Sequence, residues 1–508
     1  MSGRIIIHPH NETYNAVVGS HMGIERELAE YFKFRVENYR HMPKVKSGNW
    51  DGYIKLYNTF TKEIYYGLTP KIIQFAEDRG YEVVDKTDHS GLDTLTTQQV
   101  TDFYEQLYPT DEDAKLITAR DYQIQALKLA INKGRVLISS PTASGKSLII
   151  YALCRYVVKH CKECDIKKIL IIVTGVSLVE QMFGDFKNYC ALRSDFSPDL
   201  SCHRIYSGKE KDTNKSITIS TFQSIAGKEE EYFQQFDLII CDEVHRAKSK
   251  SIKGIMEMAE NCRYRVGFTG TLEKAETNKI VLQGLFGQAY KVITSKELMD
   301  RKQIAQLDIK CVSLRYSKDE CRERRKKENK DYQSEIEFLI HHKKRTNFIV
   351  QLALTQKLNT LLLFRYIEHG KIYKQRLEEF NKRDNLQKNI HFVYGKTDVA
   401  TREEIRAIVE KDTQAIILAS FGVYKEGVSI RNLENVIFGI STKAQVQTMQ
   451  TIGRGLRYGR TGKVTLWDIV DDLSFGAHKN HCLKQFQDDR ISYYNEDQFN
   501  CSYYQVKL

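Results

Sequence analysis

Proline is scarce, six in 508 residues, and tryptophan scarcer, at two; a long Pro-rich spacer of extended geometry is thereby excluded. Long apolar runs are missing as well. Ile169 to Val173 and Leu238 to Cys241 are typical of what there is, and a membrane helix needs roughly 20 consecutive apolar residues. The start of the chain, Met1 to Arg4 followed by Ile5-Ile6-Ile7 and then His-Pro-His, has neither the extended apolar core nor the small-residue cleavage site of a secretory signal. No membrane partner and a cytoplasmic location are the expectations. The eleven cysteines lack a framework and form an odd set, which in such a chain reads as reduced thiols. Cys161 and Cys164 make a lone CxxC with no second pair at zinc-finger spacing, so they too read as ordinary thiols.

What is present points to a globular protein with polyanionic partners. Hydrophobic residues make up 41% and charged residues 28%, a soluble globular balance. At roughly 150 residues per domain the length suggests about three units. The formal net charge of +12 favours phosphate backbones, whose condensed counterions Lys and Arg displace.

The first hundred or so residues are rich in aromatics and cations. Tyr53 to Tyr57 and Ile64 to Leu68 read as two short strands joined by a polar turn. A helix follows, with Thr69 as N-cap, Pro70 at its first position, Ile72, Ile73, Phe75 and Ala76 at helical spacing, and Gly80 as a stop. Lys86 to Gln99 reads as a connection, and the boundary is placed near residue 112. Beyond it, apolar runs alternate with longer periodic segments: Val136 to Ser139, then Leu148 to Val158, then Ile169 to Val173. The pattern restarts at Leu361 to Phe364 and continues with Ile390 to Tyr394, Ala415 to Ala419 and Val436 to Gly439. Such alternation predicts βαβ units and parallel sheets. The expected architecture is α/β: a small α+β domain over 1–112, then two tandem RecA-like doubly wound domains over 113–298 and 299–508. The charged segment Lys318 to Lys344 reads as a solvated helical face.

The sharpest local signal is Ser140-Pro-Thr142-Ala-Ser144-Gly145-Lys146-Ser147, set after an apolar strand and before an amphipathic segment. A P-loop needs this context, because backbone N–H groups at the turn and the helix N-terminus must face the phosphates. Lys146 would reach the β and γ phosphates of ATP, and Ser147 would ligate Mg²⁺. Ser140 stands where the general pattern has its first Gly. A second signal lies about a hundred residues on, where Phe236 to Cys241 reads as a buried strand ending in Asp242-Glu243-Val-His245. At the C-terminal edge of a parallel strand, Asp242 would hold the Mg²⁺ shell and Glu243 would orient and deprotonate the attacking water.

Asp-Glu-Val-His resembles the DExH box of superfamily 2 helicases, and further motifs of that family occur in order. Arg120-Asp-Tyr122-Gln123 resembles the Q-motif that reads adenine. Leu178-Val-Glu-Gln181 resembles motif Ia, with Thr174-Gly175 in place of the usual Pro-Thr. Ser207-Gly208 and Thr221-Phe-Gln223-Ser224 resemble the motif Ib region, whose polar contacts to the phosphate backbone fix register without reading sequence. Thr269-Gly270-Thr271 resembles motif III. In the second half, Glu426-Gly427-Val-Ser429 resembles motif V, with Ser429 where the family often has Asp. Gln450-Thr-Ile-Gly453-Arg454-Gly-Leu-Arg457 resembles motif VI, the arginine-finger element. The resemblance implies that ATP binds the first motor domain and that Arg454 and Arg457 complete the site on closure, stabilising charge on the transferring phosphoryl.

Within that superfamily the chain resembles the UvsW-type recombination helicases of T4-type phages. The residues that carry this are Ser47-Gly48-Asn49-Trp50-Asp51-Gly52, the Leu-Phe-Arg-Tyr-Ile-Glu-His369-Gly370 stretch, Ser420-Phe-Gly-Val-Tyr and Trp467-Asp468-Ile469-Val470-Asp471-Asp472. The resemblance implies action on single-stranded and branched duplex DNA, R-loops with their RNA included, in the cytoplasm of a host cell. In the N-terminal region Lys33, Arg35, Tyr39, Arg40, Lys44, Lys46, Trp50 and Lys55 interleave cations with aromatics, a composition that suits stacking on bases and tracking phosphate. Two rival readings share the motor: a duplex DNA translocase that separates no strands, and an RNA helicase.

Overall fold

The computed structural model describes residues 3–36, 39–87, 92–141, 143–160, 168–206, 213–244, 250–270, 276–326, 331–426, 432–440, 461–496 and 498–508. The chain divides into two compact units, Met1–Ser140 with Gly145–Ile293, and Pro141–Ser144 with Thr294–Leu508. Among the described residues no helix is long and apolar enough to cross a membrane.

The first unit opens with six short strands: β1 (Arg4–Pro9), β2 (Tyr14–Gly19), β3 (Lys33–Arg35), β4 (Tyr53–Lys55), β5 (Glu63–Tyr65) and β6 (Glu82–Asp85). Four of them form a mixed sheet in the order β5-β2-β1-β6, with β1 antiparallel to β2 and parallel to β6. Asn11 makes the β1–β2 turn, its Oδ1 accepting the amides of Thr13 and Tyr14 at 2.8 and 2.7 Å. The two strands expected on either side of a polar turn exist but are shorter than expected, Tyr66–Leu68 forming a 3-10 turn instead, and they do not pair. β4 pairs with β3 in a separate two-stranded ribbon, and β5 pairs with β2. Thr69 is the first helical residue rather than the N-cap, and its hydroxyl donates to the Tyr66 carbonyl at 2.7 Å. Ile72, Phe75 and Ala76 are buried on that helix as their spacing predicts. The connection after Lys86 ends sooner than expected, since Thr96 and Gln99 form a capping box that starts a helix at Thr97.

A seven-stranded sheet follows, made of β7 (Arg135–Ser139), β8 (Ile169–Val173), β9 (Cys202–Ile205), β10 (Ile217–Thr221), β11 (Leu238–Cys241), β12 (Tyr264–Thr269) and β13 (Ala289–Lys291). Its order is β13-β7-β12-β11-β8-β10-β9 and every pairing is parallel. Helices cover both faces, so these strands read as unbroken apolar runs rather than alternating ones.

The mixed sheet and the seven-stranded sheet share a core: Ile5, Ile7, Val17 and Ile72 pack in one apolar cluster with Leu170, Ile239 and Ile255. Polar contacts fix the junction. Arg265 on β12 is wholly buried and donates to Thr13 Oγ1 at 2.7 Å and to the carbonyls of Ala259, Met256 and Cys262 at 2.6, 2.9 and 3.0 Å. Burial pushes its pKa down to about 9, the cost of a guanidinium held by neutral acceptors alone. Tyr14 and Tyr65 stack at 5.2 Å and both bond Glu257. At Gly67 a Cβ would lie 2.2 Å from the Gln283 carbonyl, so only glycine permits that approach.

The second unit holds another all-parallel sheet of seven: β14 (Gln306–Arg315), β15 (Thr360–Phe364), β16 (Ile390–Val393), β17 (Ile416–Ser420), β18 (Asn435–Phe438), β19 (Lys463–Asp472) and β20 (Asn500–Lys507). The order is β16-β17-β15-β18-β19-β14-β20. Arg345, near the start of the helix Lys343–Thr355, is fully buried and donates to both carboxylate oxygens of Asp471 at 2.7 and 3.0 Å, to the Tyr373 hydroxyl at 3.1 Å and to the Gly439 carbonyl at 2.8 Å. The charged stretch from Lys318 forms two helices, Lys318–Lys326 and Tyr332–His341. The second is not wholly solvated: Glu335 is buried and accepts from Asn480 at 2.7 Å and from the Cys482 amide at 2.8 Å.

His369, buried in the helix Ile367–Arg383 against Tyr373, has no hydrogen-bond partner on either ring nitrogen among the described residues. Burial first, then Arg345 and His341, holds its pKa well below the ordinary imidazole value. The unfolded chain therefore binds a proton that the folded chain refuses. The stability due to a neutral His369 is complete above about pH 6.5 and is lost as pH falls from there, at about 1.4 kcal/mol per unit. Urea midpoints at pH 7.5 and 5 should fall further apart for the wild type than for His369→Phe; equal shifts would remove His369 from the acid response.

Candidate nucleotide and nucleic-acid site

β7 and β11 end on the same edge of the first seven-stranded sheet, separated by β12. From β7 the chain turns through the loop into the helix Lys146–His160; from β11 it runs into Asp242 and Glu243. The loop is anchored at its start, where the Ser140 amide bonds the Thr269 carbonyl at 2.9 Å. Ser144 is buried and its hydroxyl donates to the Pro141 carbonyl at 2.7 Å. Ala143 and Gly145 have φ of +67° and +83°. Left-handed backbone is free for glycine but costs alanine about 1 kcal/mol or more, and strain of that kind gathers where backbone amides are aimed at a ligand. A Cβ on Gly145 would sit 2.4 Å from Gln123 Nε2, so the Q-motif glutamine lies directly against the loop. Its Oε1 accepts the Arg120 amide at 3.0 Å, and Arg120 in turn donates to the Tyr122 hydroxyl at 2.9 Å. The Tyr122 side chain is buried.

Lys146 and Glu243, 97 positions apart in sequence, meet at 3.4 Å with side chains only 10% and 15% exposed. Lys146 Nζ also reaches the Ser140 carbonyl at 3.3 Å. Glu243 takes a left-handed φ of +55°, and its amide bonds Asp242 Oδ1 at 3.0 Å. The adjacent Cys241 is a core thiol whose pKa is raised by burial and then by the two acids. The Ser147 hydroxyl lies 2.8 Å from that of Tyr189, the last residue of the helix Val176–Tyr189. No spacing rule in the sequence singles out Tyr189.

Of the residues matched to nucleic-acid motifs, Gln181 is exposed on the helix Val176–Tyr189. Thr221 caps the short helix Phe222–Ile225, its Oγ1 accepting the Ser224 amide at 3.3 Å, which leaves Gln223 on the surface. In the N-terminal ribbon the aromatic faces already carry cations. The Arg35 guanidinium lies 5.1 Å from the Tyr39 ring and 4.8 Å from that of Tyr53, and Lys33 also covers Tyr53 at 4.9 Å. Trp50 is half-buried and donates to the Tyr53 carbonyl at 2.9 Å. Lys44 and Lys46 are exposed on the short helix Pro43–Lys46. Thr142, Cys161, Cys164, Ser207, Gly208, His245, Thr271, Gly427, Ser429, Gln450, Arg454 and Arg457 lie outside the described residues.

Residues 7–85 match the family model "DNA helicase UvsW, N-terminal", and residues 116–274 match "Type III restriction enzyme, res subunit". The chain is 31% identical to the ATP-dependent DNA helicase uvsW of Enterobacteria phage T4, covering 93% of this chain and 94% of that one. It is 29% identical to the DNA 3'-5' translocase XPB2 of Sulfurisphaera tokodaii over 67% of this chain and 79% of that protein. The crystal structure of T4 UvsW superposes with a TM-score of 0.52 at 28% identity, covering 99% of both chains. An N-terminal region and a motor that match over nearly their whole length leave one assignment: the chain belongs to the UvsW family of ATP-dependent DNA helicases.

Proposed function

We propose that this helicase works on branched DNA, meaning forks, four-way junctions and R-loops, and that the sheet edge carrying Lys146 and Glu243 is its hydrolytic centre. The observation that supports the hydrolytic centre is the contact of those two side chains, one at the start of the helix that follows β7 and the other just beyond β11. An incoming triphosphate would take Lys146 from Glu243, freeing the carboxylate to orient water at the γ-phosphorus. Asp242 and Ser147 offer the hard oxygen donors that Mg²⁺ takes. Among the described residues no cluster of three or more His, Cys, Asp or Glu could hold a metal. When bound, Mg²⁺ would neutralise charge developing between the phosphates. Thr142, Ser144, Gly145 and Gly427 are read as further nucleotide contacts, Arg120, Tyr122 and Gln123 as the adenine side, and Gln450, Arg454 and Arg457 as the motif VI charge donors. In functional terms the chain is read as a DNA-binding region over 1–112 and motor domains over 113–298 and 299–508.

Gln181, Ser207, Gly208, Thr221 and Gln223 are read as strand contacts. Because the Tyr39 and Tyr53 rings are covered by the chain's own cations, the N-terminal patch with Lys44, Lys46 and Trp50 suits phosphate tracking more than base stacking. ATP turnover should be stimulated several-fold more by forks and four-way junctions than by linear duplex. Turnover and strand separation measured on single strands, forks, junctions, R-loops and RNA decide the matter, and stimulation by RNA alone would end the DNA reading. A second reading, duplex translocation without strand separation, draws on the similarity to XPB2, and triplex displacement without unwinding would favour it.

A further inference from the structure

We propose that Tyr189 is a positioning residue for the metal-binding hydroxyl of Ser147: its phenol oxygen accepts a hydrogen bond from the Ser147 O–H and so keeps a serine lone pair directed at Mg²⁺. The proposal rests on the reading of Ser147 as a metal ligand given above. A serine hydroxyl has one proton and two acceptor lone pairs. An oxygen that gives a lone pair to a divalent cation must turn its O–H away from the ion, and at a half-buried helix start that O–H needs an acceptor, since an unsatisfied donor is costly. The Tyr189 oxygen is 2.8 Å away, an ordinary O–H···O length.

The acceptor is held in place. The Tyr189 ring packs on Tyr151 at 5.5 Å, and Tyr151 packs edge-on against Phe186 at 5.3 Å. The Tyr151 hydroxyl is fixed by Arg155 at 3.0 Å, which is itself paired with Asp195 at 2.7 Å. Tyr151 and Arg155 lie one and two turns beyond Ser147 on the helix Lys146–His160. A chain of contacts along that helix therefore sets the phenol, and the phenol sets the serine.

The test uses the full-length chain and a fluorescent ADP analogue, mant-ADP, with binding measured in Mg²⁺ and in EDTA. Wild type binds more tightly in Mg²⁺. Tyr189→Phe, which removes one oxygen, is expected to lose about threefold to tenfold of that tightening, the worth of one net hydrogen bond, with affinity in EDTA unchanged. Ser147→Ala should lose the metal-dependent increment, and adding Tyr189→Phe to it should cost nothing more. Equal weakening in both conditions would make Tyr189 a packing residue and overturn the proposal. If Tyr189→Phe keeps the full increment while Ser147→Ala loses it, the proposal falls and the reading of Ser147 stands. If Ser147→Ala keeps it, both fall.

Discussion

Glu243→Gln is expected to cut nucleic-acid-stimulated ATP turnover by about 10²-fold to 10⁴-fold, the range that a positioned general base contributes, equivalent to roughly 3–5 kcal/mol of barrier. Nucleotide binding should survive. The amide is isosteric with the carboxylate, so the left-handed backbone at φ +55° and the loop opposite are undisturbed, whereas the capacity to take a proton from water is gone. The substitution also removes the charge that holds Lys146 at 3.4 Å. A lysine no longer paired is freer to meet phosphate, so affinity for ATP should be equal to or tighter than that of the wild type. Single-turnover hydrolysis and equilibrium nucleotide binding, measured side by side, separate the two effects. Turnover within threefold of wild type would strip Glu243 of the base role, and parallel loss of binding would make it structural.

The second large effect is on stability. Arg345→Ala is expected to cost about 3–5 kcal/mol, because removing one partner of a buried ion pair leaves the other charge uncompensated. Folded domains are stable by only about 5–15 kcal/mol, so the loss should be visible as a separate early transition in urea. Asp471 would keep its bond from Tyr316 at 2.8 Å but lose a bidentate guanidinium, while Tyr373 and the Gly439 carbonyl would each lose a donor. Arg345→Lys should recover little, since an ammonium cannot span both carboxylate oxygens and reach two further acceptors. Replacing Arg345 and Asp471 together by Met and Leu should be milder than Arg345→Ala alone. A midpoint shift worth less than about 1 kcal/mol for Arg345→Ala would refute this account.

These two predictions draw on different kinds of information. Lys146 and Glu243 were legible because each belongs to a short local pattern, a glycine loop after one strand and paired acids after another. Parallel strands buried on both faces turn into apolar runs that a reader can count, which is why the expected bounds of β7, β8, β15 and β17 lie within a residue of the observed ones. Strand partners are another matter. The segments at Tyr53 and Ile64 were found as strands, but pairing depends on residues far off in the chain, and β4 and β5 went to different neighbours. Buried arginines escape for a related reason. Arginine sits at the surface in most proteins, and nothing near Arg265 or Arg345 in sequence announces the carbonyls and the carboxylate that accept them. Tyr189 meets Ser147 across 42 positions, a distance over which no periodicity speaks.

The junction between the N-terminal sheet and the first motor sheet bears on how the molecule can be dissected. Excising the first 87 residues would uncover Leu170's and Ile255's apolar neighbourhood to water and strip Thr13 from the Arg265 guanidinium. The remainder would be a damaged motor rather than a motor minus an accessory, and its inactivity would teach nothing about DNA grip. Charge reversals confined to the exposed Lys44 and Lys46 leave that seam intact, and are the cleaner instrument for asking what the N-terminal region contributes.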